Sequence, residues 1–170
     1  MWKHRGQKRP PFAVEPKAGQ ESVWDYPRPP IIVSCNRAVK VMHKGIVVAS
    51  SVETYRVLET ASPPTFYIPE NHIDWSHLVT SREHTFCEWK GEASYWALSD
   101  DPDGKPVAWQ YKHPFPEFEM LRGHTAFYPG RVACYVDGER VRSQHGGFYG
   151  GWITNEITGP FKGDPGTGYW

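Results

Sequence analysis

The feature that most constrains this chain is the close spacing of turn signals between Ile31 and Val141. Short segments rich in β-branched and aromatic residues alternate there with Gly, Pro, Asn and Asp. Segments of this length and composition are typical of β-strands. We therefore predict a mainly β domain over residues 31–143, built as a compact antiparallel double sheet or a barrel-like domain with one or two short helices.

Three hairpins are predicted from turn chemistry. The dipeptide Lys44-Gly45 suits a tight turn between the segments AVKVMH and IVVAS. The segment DDPDGK is predicted to join EASYWALS to PVAWQYKH, and Pro129-Gly130 to join HTAFY to RVACYVD. Two other segments are ambiguous, because PENHIDWSHLVTS predicts only one or two helical turns and ETYRVLET suits a strand or a short helix.

The two ends of the chain differ from its middle. Residues 1–30 are predicted to be an extended, basic, proline-rich arm, because proline fixes φ and disfavours helix in the residue before it. This arm is expected to lie over the domain in contact with solvent, and a phosphate-binding arm is the alternative. Residues 144–170 are rich in Gly and Pro but too aromatic for a free tail. We expect this tail to pack on the domain or on a partner subunit, as in a homodimer.

Charge and cysteine usage narrow the function classes. The 19 basic and 19 acidic residues cancel, so the chain has no net field that would attract nucleic acid. Cys35, Cys87 and Cys134 are odd in number and far apart, and no C-x-x-C pair is present, which argues against a disulfide framework and a zinc finger. Without a secretory signal or a long apolar run, we predict a cytoplasmic protein with no membrane partner, no metal and no cofactor.

The stretch HTFCEWKGEASYW concentrates chemically reactive residue types. A single strand over 87–98 would place its odd positions on the core face. Cys87 would then be buried, and Lys90 and Glu92 would lie on the polar face. A bulge at Gly91 would instead bring Cys87 to the side of Glu92. We predict Cys87 in the core and Lys90 at the rim of a pocket.

Candidate site residues follow from this stretch and from the aromatic segments. Cys87 would be a nucleophile or redox thiol, Lys90 its electrostatic partner, and Glu92 a third catalytic candidate. The expected ligand-binding residues are Arg56, as an anion holder, with Tyr67, Tyr95, Trp109 and His124. The D-x-D pair Asp101 and Asp103 has the spacing of a Mg²⁺ site, but its Pro and Gly neighbours favour a β-turn.

The segments PPTFYIP, TFCEWKGEASYW and AWQYKHPFPEFEMLRGHTAFYPGRV resemble the family known as domain of unknown function 427. The likeness covers nearly the whole chain, with one departure: Glu88 stands where the family usually has proline. The resemblance implies a compact, mainly β fold related to tent-like double-sheet folds that often hold zinc, whose paired cysteines this chain lacks. The family is sometimes labelled nucleotidyltransferase-like, but this sequence has no Gly-Ser dipeptide and its D-x-D pair lies in a predicted turn, so we do not adopt that label.

Three functions remain open from the sequence. The leading hypothesis is an aromatic-lined pocket that binds or transforms an unidentified small molecule, with or without catalysis. The second is a non-catalytic interaction or oligomerisation module that uses its aromatic tail. The third is the binding of a nucleotide or another phosphate ligand through Lys90 and Arg56.

Overall fold

The computed structural model describes residues 2–170, which form two main β-sheets and two short strand pairs. The strands are β1 (Glu21–Ser22), β2 (Ile31–Cys35), β3 (Val39–His43), β4 (Ile46–Ser51), β5 (Thr54–Leu58), β6 (Thr65–Pro69), β7 (Leu78–Cys87), β8 (Gly91–Leu98), β9 (Ala108–Gln110), β10 (His124–Phe127), β11 (Ala133–Val136), β12 (Glu139–Arg140), β13 (Arg142–Ser143), β14 (Trp152–Ile153) and β15 (Ile157–Thr158). Four short 3₁₀ helices lie at Val23–Asp25, Glu70–His72, Trp75–His77 and Pro116–Leu121. The predicted mainly β fold is confirmed.

The larger sheet has seven strands in the order β2-β5-β6-β10-β9-β8-β7, and each neighbouring pair is antiparallel. The smaller sheet has four antiparallel strands in the order β12-β11-β3-β4. Within the described residues, β2 and β7 each have a single partner strand, so the large sheet remains open at both edges. The architecture is therefore a double sheet and not a closed barrel.

Two of the predicted hairpins are present. Lys44 and Gly45 join β3 to β4, with φ values of 50° and 75° that suit the mirror-image turn of a tight hairpin. Strands β8 and β9 pair across the exposed loop that contains Asp101 and Asp103. The ambiguous segment ETYRVLET contains strand β5, and PENHIDWSHLVTS contains two single-turn 3₁₀ helices.

The third predicted hairpin is wrong. Strand β10 pairs with β6 and β9 in the large sheet, whereas β11 pairs with β3 and β12 in the small sheet. A turn does occur at Pro129-Gly130, where the backbone N–H groups of Arg131 and Val132 donate to the carbonyl of Tyr128. This turn carries the chain from one sheet to the other, so a correct turn signal did not imply pairing of the strands that flank it.

The large sheet buries both of its faces. Because side chains alternate along a strand, Phe66 and Ile68 of β6 point to one face and Tyr67 points to the other. The first face packs on the small sheet in an apolar core that includes Val41, Phe127 and Trp152. We call it the inner face. The opposite face carries a cluster rich in tyrosine and tryptophan, and we call it the cavity face.

The two ends of the chain pack together on this domain. Strand β1 pairs in parallel with β15, and Trp24 is fully buried in a third apolar cluster. The rings of Phe12 and Trp170 stack with their centroids 5.2 Å apart. The indole of Trp152 enters the inner face, and its Nε1 donates to the carbonyl of Phe127 at 2.9 Å. No helix among residues 2–170 has the length and apolar character to span a membrane.

Candidate functional site

The stretch HTFCEWKGEASYW forms a hairpin rather than the single strand predicted over 87–98. Strand β7 ends at Cys87, a turn follows over residues 88–90, and β8 begins at Gly91, which lies opposite Cys87. Gly91 has a φ of 103°, a backbone conformation that glycine adopts without a steric penalty. The prediction of one strand was wrong because glycine here begins the returning strand instead of interrupting a continuous one.

This hairpin separates the three catalytic candidates. Glu92 lies opposite Phe86, and Oε1 of its exposed carboxylate lies 3.2 Å from Nδ1 of His84. Cys87 and Lys90 instead line a cavity on the cavity face. The structure therefore brings Cys87 and Lys90 together and leaves Glu92 outside.

The cavity has a volume of about 410 Å³ and lies between the large sheet and the two ends of the chain. Five of the predicted site residues line it: Tyr67, Cys87, Lys90, Tyr95 and Trp109. Further walls come from Glu59, Thr85, Tyr111, Tyr128 and the tail residues Gln144, Tyr149 and Lys162. The N-terminal Trp2 also contributes its ring. The cavity therefore depends on parts of the chain that are far apart in sequence.

Lys90 is the central charged group of this cavity. The residue is only 8% exposed, and its Nζ lies 5.7 Å from the centre of the Tyr111 ring. Burial lowers the pKa of Lys90, but attraction to the ionised forms of Tyr67 and Cys87 and to Glu59 raises it more, so the net pKa lies above its usual value. Lys90 is therefore an ammonium ion at neutral pH, and among residues 2–170 it forms no ion pair with a carboxylate.

The aromatic walls supply hydrogen-bond donors. Nε1 of Trp109 donates to the Tyr67 hydroxyl oxygen at 3.3 Å, which leaves the Tyr67 O–H free to donate. Burial raises the pKa of Tyr67, Tyr111 and Tyr128, so these phenols stay neutral at physiological pH. The rings of Trp109 and Tyr128 lie 4.5 Å apart. An ammonium group and neutral hydroxyls together suit a ligand that offers oxygen acceptors.

A second lysine reaches the cavity from the tail. Lys162 is 8% exposed, and its Nζ lies 4.6 Å from the ring of Trp2 and 5.7 Å from that of Tyr149. Burial lowers the pKa of Lys162, and attraction to Glu59 opposes that effect. Glu59 itself accepts a hydrogen bond from Arg28 Nε at 3.2 Å. No sequence signal marked Lys162, because it lies in a Gly/Pro-rich segment without a recognisable motif.

Two predicted ligand-binding residues lie elsewhere. Arg56 is on the inner face, where its guanidinium donates to both carboxylate oxygens of Glu21 at 2.7 and 3.1 Å. His124 packs its ring against Tyr55, with centroids 4.8 Å apart, and its Nδ1 lies 3.1 Å from the carbonyl of Arg122. Neither residue lines the cavity that contains Lys90. The predicted pairing of Lys90 with Arg56 is therefore absent.

These features define a class of protein: a mainly β, double-sheet domain with an aromatic cavity around a buried lysine. The chain belongs to the family described as domain of unknown function (DUF427), whose model matches residues 31–138. The matched region contains the β7–β8 hairpin and excludes the tail that supplies Lys162. No curated protein matches the sequence. In residues 2–170, no three His, Cys, Asp or Glu side chains come together as a metal-ligand set.

Proposed function

We propose that the cavity binds a small organic molecule with an anionic group, such as a carboxylate or a phosphate, attached to a flat apolar body. The observation that supports this most is Lys90, a buried ammonium ion that the described residues leave without an ion-pair partner. Glu59 lines the same cavity and attracts Lys90 but forms no ion pair with it, so the ammonium group has no direct anionic partner. A bound anion would supply the missing negative charge and accept hydrogen bonds from the ammonium group.

The aromatic walls support the apolar part of this proposal. Trp109, Tyr128 and Tyr95 present ring surfaces to the cavity, and such surfaces favour flat apolar groups. The volume of about 410 Å³ lies within the range of about 300–1,000 Å³ that is typical of small-molecule sites. The cytoplasmic location inferred from the sequence stays a prediction and is compatible with a metabolite ligand.

A thermal-shift screen tests the proposal. The panel would contain aromatic and aliphatic carboxylates, sugar phosphates and nucleotides, each with an uncharged analogue such as the amide or the nucleoside. We expect some anionic members to raise the melting temperature in a concentration-dependent manner, because a ligand that binds only the folded state stabilises it. Their uncharged analogues should have little effect.

Two lysine variants provide the matched control. Lys90→Met removes the ammonium group in the cavity, and Lys40→Met removes one from the exposed side of β3. The anion response should disappear in Lys90→Met and persist in Lys40→Met. Equal responses to charged and uncharged analogues, or a response that survives in Lys90→Met, would contradict the proposal.

A second candidate function is covalent chemistry at Cys87. Its thiol lines the same cavity as Lys90, and attraction between the two groups contributes to the raised pKa of Lys90. A nearby cation favours a thiolate over a thiol, and the thiolate is the nucleophile. A ligand held by Lys90 would then lie within reach of Cys87 for attack by sulfur.

Alkylation of the native protein tests this second candidate. Iodoacetamide is applied near neutral pH, and mass spectrometry measures the modified fraction at each cysteine. We expect Cys87 to react before Cys134, which is fully buried and whose thiol pKa is raised by burial. Should Cys87 react only after denaturation, covalent catalysis at this position is excluded, whereas the anion-binding proposal would stand.

A further inference from the structure

A second apolar depression lies outside the cavity, at the gap between the two edges of the large sheet. It has a volume of about 500 Å³ and is bounded by the start of β2, the turn over 88–90 and the 3₁₀ helix at Pro116–Leu121. Ile31 and Met120 line it and are 44% and 51% exposed. We call this depression the edge groove. Exposed apolar surface of this kind is typical of an interaction site.

The two free edges beside this groove are protected to different degrees. Strand β7 has a register shift between Thr80 and His84, and that segment contains the charged residues Arg82 and Glu83. Bulges and charges of this kind discourage pairing with another chain. Strand β2, with the sequence IIVSC, has neither a charge nor a register shift. Its unpaired side therefore offers backbone groups to an incoming strand.

The rim of the edge groove is acidic. Glu88 and Glu117 are both exposed, and neither forms an ion pair with another side chain in residues 2–170. None of the groove-lining residues is basic. Opposite charge on a partner would therefore be favoured at this rim.

A buried donor at the groove also lacks an acceptor. Trp89 lines both the edge groove and the cavity, and its Nε1 is buried without a hydrogen-bond partner among the described residues. A buried N–H group left unpaired costs free energy.

From these observations we infer that the edge groove binds an extended, basic peptide segment of a partner protein, which adds to β2 as a further strand. Main-chain hydrogen bonds along β2 would hold the segment, and its alternate apolar side chains would contact Ile31, Phe115 and Met120. Lysine or arginine residues of the segment would pair with Glu88 and Glu117. This site is separate from the cavity that contains Lys90, although Glu88 and Trp89 line both.

A selection from displayed random twelve-residue peptides tests this inference with the full chain as bait. We expect the enriched peptides to be basic, to alternate apolar residues and to bind the purified protein in a fluorescence-anisotropy titration. Ile31→Lys, and separately the double substitution E88K/E117K, should weaken binding by about tenfold or more. All of these positions are exposed, so the variants should keep the melting temperature of the natural chain.

Two controls separate this site from the alternatives. Lys90→Met should leave peptide affinity unchanged, and N-methylation of alternate peptide bonds should abolish binding, since it removes main-chain donors. The inference would be overturned by a failure to enrich peptides, by enrichment of acidic ones, or by peptides that bind Ile31→Lys and E88K/E117K as well as the natural chain. Loss of peptide affinity in Lys90→Met would place the peptide in the cavity. A concentration-dependent dimer that Ile31→Lys abolishes would identify a second copy of the chain as the occupant. Either result would also overturn the inference.

Discussion

The two faces of the seven-stranded sheet are both buried, but with different chemistry. On the inner face, Phe66 and Ile68 meet the small sheet in a core of apolar side chains. On the cavity face, the hydroxyl-bearing Tyr67 and Tyr95 and the ammonium of Lys90 surround a cavity. Buried polar groups around empty space contribute less stability than a packed apolar core. This difference is the basis of our proposal that the inner face maintains the fold and that the cavity face binds a ligand.

The charged residues of the two faces sharpen this contrast. Arg56 lies on the inner face near Phe66 and is paired through two hydrogen bonds with Glu21. Among the described residues, Lys90 on the cavity face forms no ion pair with a carboxylate, although Glu59 attracts it. The pairing with Glu21 is sufficient to explain Arg56 as a structural residue. The ammonium group of Lys90, which forms no ion pair in the described residues, could pair with a negatively charged ligand.

The largest expected effect is the loss of a side chain from the inner face. Trp152 is fully buried, stacks on Phe66 at 4.9 Å and donates to the carbonyl of Phe127. Trp152→Ala should lower the free energy of unfolding by about 3–5 kcal/mol, because it creates a cavity and removes a buried hydrogen bond. Guanidinium denaturation followed by circular dichroism measures this loss. Phe148→Ala, at a 65% exposed position, is the control and should have little effect on the free energy of unfolding. A similarly small effect of Trp152→Ala would contradict the proposed distinction between the two faces.

A smaller effect is expected on the cavity face. Lys90→Met replaces a buried unpaired charge with an apolar side chain of similar length. The free energy of unfolding without ligand should change by less than about 2 kcal/mol, because the desolvation cost that the substitution removes is offset by the attraction to Glu59 that it also removes. The same denaturation experiment measures it, with Lys40→Met as the surface control. A loss of several kcal/mol would show that Lys90 maintains the fold, and the two faces would then not differ in role.

The smallest effect concerns the Arg56–Glu21 pair. Arg56 holds the pKa of Glu21 below its usual value of 4.5. Because the folded pKa is the lower one, the contribution of the carboxylate is present above about pH 4.5 and is lost as the pH falls through the folded pKa. Glu21→Gln should therefore cost about 1 kcal/mol or less at neutral pH, since the carboxylate is half exposed, and should weaken the acid dependence of stability. Urea denaturation across the acid range measures this, and Glu83→Gln should leave the dependence unchanged.

Local turn chemistry explains most of what the sequence predicted about the fold. The positive φ values at Lys44 and Gly45 belong to the turn residues themselves, so the β3–β4 hairpin could be inferred from this dipeptide alone. The segment from β10 to β11 has an equally clear turn at Pro129-Gly130 but changes sheets. Which sheet a strand joins depends on contacts with distant strands, and the turn residues contain no information about these contacts.

The site could be predicted only where its residues belong to the motif-rich strands. Tyr67, Cys87, Lys90, Tyr95 and Trp109 were all named from sequence, and they line one cavity. The predicted position of Glu92 was wrong because the chain reverses direction at the turn over 88–90. The strand pairing that follows from this turn could not be inferred from a single continuous strand. Trp2 and Lys162 could not be found from the sequence because they reach the cavity through the packing of both chain ends.

The measurement that most directly tests the distinction between the faces is the affinity of an anionic ligand for the natural chain and for Lys90→Met. Isothermal titration calorimetry with the best anion from the thermal-shift screen gives both dissociation constants under the same conditions. We expect Lys90→Met to fold and to bind this anion at least about tenfold more weakly, as expected for the loss of a charged hydrogen bond. Equal affinity in a fully folded Lys90→Met would contradict this expectation.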